Sequence, residues 1–174
     1  LAGVAQTYTT TADGNWSNPS TWSGGVVPAT TIASGQTLNI NHVVTFDLNS
    51  ILTVAGTLKI SDTLKFAIAA TKDVVINASG FLSLTGGGIV QDLSAPQNNF
   101  TMNGGRLSVV NSCAFISKAF SASNGASISF KNSKMYVGTG YSLTGSLLAQ
   151  TIDTIQNSLI QTGISNTGNS DFTI

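Results

Sequence analysis

Seven aspartates, one histidine and one cysteine are the side chains of this 174-residue chain that could do acid–base, nucleophilic or metal chemistry, and glutamate is absent. Two carboxylates facing each other would suit glycoside hydrolysis. The acids Asp13, Asp47, Asp62, Asp73, Asp92, Asp153 and Asp171 are scattered, although stacking of coils would bring Asp47 and Asp73 onto adjacent turns. Read individually they are solvated corner residues. A polysaccharide lyase would need clustered Asp for calcium and a base nearby, and Arg106 and the lysines are too dispersed to supply it. Cys113 sits in the apolar run Val109–Ile116 and reads as a small buried hydrophobe. A catalytic thiol would want a base, and His42 is the one histidine, without His or Cys partners for a metal. Gly86-Gly87-Gly88 has no lysine or helix after it, so it is not a phosphate loop, and calcium-binding nonapeptide repeats are absent. No catalytic residue, cofactor or metal ligand is therefore nominated. Sugar stacking remains open to Trp16, Trp22, Tyr136 and Tyr141, with core packing the competing role for the tryptophans and plain surface strand positions for the tyrosines.

The elements that would position these residues are strands. A glycine followed by alternating apolar residues recurs as Gly35–Ile40, Gly56–Ile60, Gly80–Leu84, Gly105–Val109 and Gly125–Phe130. A recurrence of roughly 20–25 residues matches one turn of a β-strand solenoid. One turn cannot bury its own apolar face, so turns must stack. The expected fold is all-β, a right-handed parallel β-helix. Leu38, Ile40, Val54, Leu58, Ile60, Leu82, Leu84, Leu107 and Val109 should point inward. Residues 7–32 hold both tryptophans in a turn-rich segment, Asp13–Pro28, and are expected to form an N-terminal cap. Residues 33–174 are expected to be the β-helix body, continuing beyond 174, because Phe172-Thr173-Ile174 reads as a strand with no cover after it. Residues 92–99 read as a loop excursion, and corner asparagines such as those in Gln156–Gly168 are suited to ladders.

Hydrophobic residues make up 41% of the chain and charged ones 8%, with a formal net charge of zero. That balance offers no electrostatic footprint for nucleic acid. No basic amphipathic run suggests a membrane surface, and no stretch is long enough to span a bilayer. Leu1-Ala2-Gly3-Val4-Ala5-Gln6 turns abruptly polar at Thr7 and reads as the remnant of a secretory signal peptide, so a secreted, extracellular protein is expected.

The run Asn15–Pro28, followed by Ser34–Ile40 and Leu52–Leu58, resembles the start of G8-like domains and the N-terminal region of secreted Bacteroidetes surface proteins with β-helical bodies. The resemblance covers residues 13–60. It implies an extracellular β-helix of the kind found in adhesins and in proteins that handle polysaccharide, and it carries over no catalytic motif. It also implies O-glycosylation at Thr63 and Thr154, since Asp62-Thr63-Leu64 and Asp153-Thr154-Ile155 match the pattern used on exported proteins of that group, with ordinary strand-start residues as the competing reading. The expected function is a structural or adhesive cell-surface module without catalysis. The alternative is a carbohydrate-binding or polysaccharide-degrading domain. Expected partners are further domains of the same polypeptide or a stacked chain, together with surface glycans. Ice binding would need regular Thr-x-Thr rows, which the sequence lacks.

Overall fold

In a computed structural model the chain forms a parallel β-solenoid. The structure describes residues 5–67, 72–91, 98–116, 118–138, 140–143, 151–156, 158–162 and 170–173. The strands in chain order begin with β1 (Thr7–Thr9), β2 (Gly14–Asn15), β3 (Thr31–Ile32), β4 (Thr37–Ile40), β5 (Val44–Phe46) and β6 (Leu52–Val54). They continue with β7 (Thr57–Ile60), β8 (Thr63–Phe66), β9 (Val74–Thr85), β10 (Gly88–Val90), β11 (Phe100–Val110) and β12 (Cys113–Ile116). The remainder are β13 (Ala119–Ser123), β14 (Ser127–Lys131), β15 (Lys134–Val137), β16 (Gly140–Leu143), β17 (Thr151–Gln156), β18 (Leu159–Thr162) and β19 (Ser170–Thr173).

These strands stack in three parallel columns, one per face of the coil. The first face runs β1, β4, β7, the second half of β9, the second half of β11, β14 and β17. The second runs β3, β6, the first half of β9, the first half of β11, β13 and β16. The third runs β2, β5, β8, β10, β12, β15 and β18. Strand β19 joins this face antiparallel to β18, the one reversal of direction among the paired strands described.

Alternation decides what is buried, because successive strand side chains point to opposite sides. Leu38, Leu58, Leu82, Leu107 and Ile128 are in-line register partners down the first face, and all are buried. All nine residues expected to point inward do so. Each such leucine or isoleucine contributes about 1.5–3 kcal/mol through the apolar surface it hides. Between them stand exposed or half-buried residues such as Lys59 and Ser83.

Several corners between faces are made by glycine or asparagine. A Cβ at Gly80 would collide with the Val54 carbonyl oxygen, so only glycine lets β9 turn against the previous coil. Strand β11 runs continuously from Phe100 to Val110 and passes the corner through a register shift between Gly104 and Arg106.

Residues 7–32 place one short strand on each face and add two 3-10 turns, Pro19–Thr21 and Ser23–Gly25. Trp16 is 0% exposed and Trp22 2%. Trp22 meets Trp16 edge-on at 5.1 Å, Trp16 meets Phe46 at 5.0 Å, and Phe46 meets Phe66 at 5.2 Å. The indole N–H groups are satisfied, Trp16 donating to the Pro28 carbonyl and Trp22 to the Trp16 carbonyl. Among the described residues no helix is long and apolar enough to cross a membrane.

Candidate functional site

Three aspartates act as fasteners between turns. Asp13 accepts from the backbone N–H of Val43 at 2.9 Å. Asp47 accepts from the backbone N–H of Ser17 at 3.0 Å and from the Ser17 hydroxyl. Asp73 accepts from the backbone N–H of Asn99 at 2.7 Å. Asp47 and Asp73 are thus each engaged by a different neighbouring turn, Asp47 by the one before it and Asp73 by the one after. Burial pushes the Asp47 carboxyl up, but the Ser17 hydroxyl and amide and the Lys72 ammonium outweigh it and hold it below the usual carboxylate range.

Lys72 is only 2% exposed, and its Nζ donates to the Phe46 carbonyl at 3.2 Å. Burial pushes this amine below its usual value, with Asp47 working against that. His42 shares a 3.0 Å hydrogen bond with the Thr10 hydroxyl, which also accepts from the backbone N–H of Asn41. The histidine is a structural partner of the first turn. Among the described residues no three of His, Cys and Asp come together to hold a metal ion.

The tryptophans named for sugar stacking are enclosed in the core, so their rings present no face to a ligand. Tyr136 is half-buried, pointing outward on the third face between the inward Met135 and Val137. Tyr141 lies in β16 and Thr154 in β17, and the side chains of both fall outside the described residues. Thr63 is half-buried at the start of β8, in register with Gly88.

Cys113 corrects its sequence reading. Ala114 and Ile116 take the inward positions of β12, so alternation turns the thiol outward, and it is partly exposed beside Lys134, its register partner. Partial burial pushes the thiol pKa up, with the Lys134 ammonium working against it.

The corner between the first and third faces holds two ladders. Asn111 and Asn132 stack at its outer side, Asn132 Nδ2 donating to Asn111 Oδ1 at 3.2 Å, and both adopt positive φ of 50°. Inside, the backbone N–H of Ser112 donates to the Ser133 hydroxyl, and that of Ser133 to the Ser158 hydroxyl, each at 3.2 Å. One turn earlier the same corner is Gly86-Gly87, which supplies neither amide nor hydroxyl. The result is an open recess of about 460 Å³ lined by Gly86, Gly87, Asn111, Ser112, Cys113, Asn132 and Lys134.

Sequence reasoning passed over this corner, yet a signal was present. The dipeptide Asn-Ser occurs five times, at Asn49, Asn111, Asn132, Asn157 and Asn169, and the Asn111 and Asn132 copies close strands of the first face. Compared with known proteins, the chain matches no family model, no curated protein and no solved structure. The parallel solenoid therefore rests on the strand registers themselves.

Proposed function

We propose that this chain is a secreted structural or adhesive module that works through the outer faces of its coil and does no catalysis. The observation that carries this reading is the chemistry of those faces. The outward row Thr53, Val75, Thr101 and Ser121 on the second face, and the stretch Ser83, Ser108 and Ser129 that follows the exposed Lys59 in its row on the first, are short side chains without charge. Ser121 donates to Thr101 within its row at 3.4 Å. Three of the acids that hydrolysis would need are committed to backbone N–H groups of neighbouring turns. Rows of this kind offer many weak polar contacts along a rod, which suits adhesion by multiplicity.

The test is to immobilise the protein and pass over it cell-envelope preparations and neutral and acidic polysaccharides, while assaying the same polysaccharides for new chain ends. Retention without cleavage supports the reading. Cleavage that tracks the purified protein overturns it. A second reading, a carbohydrate-binding domain, is favoured by the amide-lined recess at the Asn111–Asn132 corner. Within the same proposal, Thr63 and Thr154 are acceptors for O-linked glycans, which mass spectrometry of native peptides tests directly. Further domains or a stacked chain would be its partners.

A further inference from the structure

Among the described residues, four side-chain amide bonds between turns share one direction. Asn39 donates its Nδ2 to Thr9, Asn99 to Asp73, Asn124 to Asn103 and Asn132 to Asn111. In each pair the donor lies one turn later than the acceptor, so the amide nitrogens reach back towards the start of the chain. Asn111 accepts from Asn132 with its oxygen, and its own nitrogen therefore faces the turn before. At that place stands Gly86, which has no side chain to accept.

The exposed Asn111 amide lines the recess, and two of its neighbours there are donors. Lys134 brings an ammonium and Cys113 a thiol. The acid of the preceding corner, Asp62, is not among the lining residues, although its backbone abuts Gly87, and Lys131, three residues before Lys134, is exposed. The absence of side chains at Gly86 and Gly87 supplies the room. A Cβ at Gly86 would meet nothing within 4 Å.

We propose that this recess is an oxyanion-binding site, in which a carboxylate, sulfate or phosphate group accepts from the Asn111 amide and the Lys134 ammonium. A group bearing several acceptor oxygens matches a cavity that offers N–H and S–H donors and a positive charge. The group can arrive as a free inorganic ion or on an acidic sugar. The inference stands apart from the adhesive reading, because it concerns one corner and not the faces.

The experiment titrates the whole chain with sodium sulfate and sodium phosphate at ionic strength held constant with chloride. The readouts are the side-chain amide resonance of Asn111 and the rate at which iodoacetamide alkylates Cys113. A saturable resonance shift with slower alkylation is expected. A glucuronate-containing oligosaccharide and its carboxyl-reduced neutral counterpart are run beside them. Tighter binding of the charged sugar than of the free ions assigns the site to glycans, and equal or weaker binding assigns it to the ion. Absence of a saturable response to any oxyanion overturns the proposal, as does an equal response to the neutral sugar.

Two variants sharpen the result. Gly86→Asn supplies the missing rung in a left-handed position that Asn111 and Asn132 already tolerate at φ 50°. It should abolish the anion response and leave the melting temperature the same or higher. Lys134→Gln, at an exposed position, should weaken binding about tenfold or more, the scale of a lost hydrogen bond to a charged group. Unchanged affinity in Lys134→Gln, or in a folded Gly86→Asn, would overturn the proposal.

Discussion

The backbone N–H of Ser112 donates to the hydroxyl of Ser133, one turn further on, at 3.2 Å. The same hydroxyl donates to the Lys131 carbonyl at 2.7 Å and lies 3.1 Å from the Val109 carbonyl, so one side chain both accepts across turns and donates to backbone carbonyls. Both residues are buried. A buried N–H without an acceptor costs about 1–3 kcal/mol, more than the hydrogen bond itself contributes.

Ser133→Ala should therefore lower stability by about 1–3 kcal/mol in urea unfolding, since it strands the Ser112 N–H. Ser108→Ala, on an outward row of the first face, should stay within about 0.5 kcal/mol of the parent. Equal losses in the two variants would show that the corner ladder is not a distinct contribution.

Neighbouring residues of β7 should behave in opposite ways. Leu58 is fully buried and Lys59 is exposed. Leu58→Ala should cost about 2–5 kcal/mol, from lost transfer energy and the cavity left behind. Lys59→Ala should be nearly silent. A small loss at Leu58 would refute the inward assignment of the first face.

Acid should weaken the link between the first two turns through Asp47. Its folded pKa lies below the unfolded value because the Ser17 groups and Lys72 outweigh burial. A depressed carboxylate contributes stability that is complete above the unfolded pKa, about 3.9, and is lost as pH falls through the folded value. The stability gap between the parent and Asp47→Asn should narrow as the pH is lowered from about 5 towards the folded value, across the carboxylate range. A gap that is constant with pH would contradict this.

Cys113 should alkylate with a midpoint above the ordinary thiol value of about 8.5, because burial disfavours the thiolate. Lys134 works in the opposite direction, so Lys134→Gln should move the midpoint still higher. For an acid whose folded pKa is raised, the unfolded chain releases its proton first, and stability falls as pH climbs through that interval. A midpoint that drops in Lys134→Gln would reverse the assigned role of the ammonium.

The alternation of apolar residues made the faces legible, because burial in a strand has period two and leaves a plain mark at residues such as Leu82 and Leu84. It misled at Cys113, where the apolar neighbourhood suggested burial while the phase set by Ala114 and Ile116 pointed the thiol out. The glycine recurrence showed where coils turn, but not that β9 and β11 would run unbroken through the corner. Sequence also could not show that Lys72 is buried, since that depends on the Phe46 carbonyl, which is 26 residues away. The reversed pairing of β19 left no mark, as parallel and antiparallel strands alternate alike.

Both tryptophans of the chain sit within the first stacked turn, at the head of the aromatic column that continues through Phe46 and Phe66. In a repeat protein each turn leans only on its neighbours, and the ends open at lower free energy than the middle. Intrinsic fluorescence from this molecule is therefore a local gauge of how often that turn opens. Circular dichroism sums over every turn. The separation between the two melting curves would measure how far cooperativity extends along the coil.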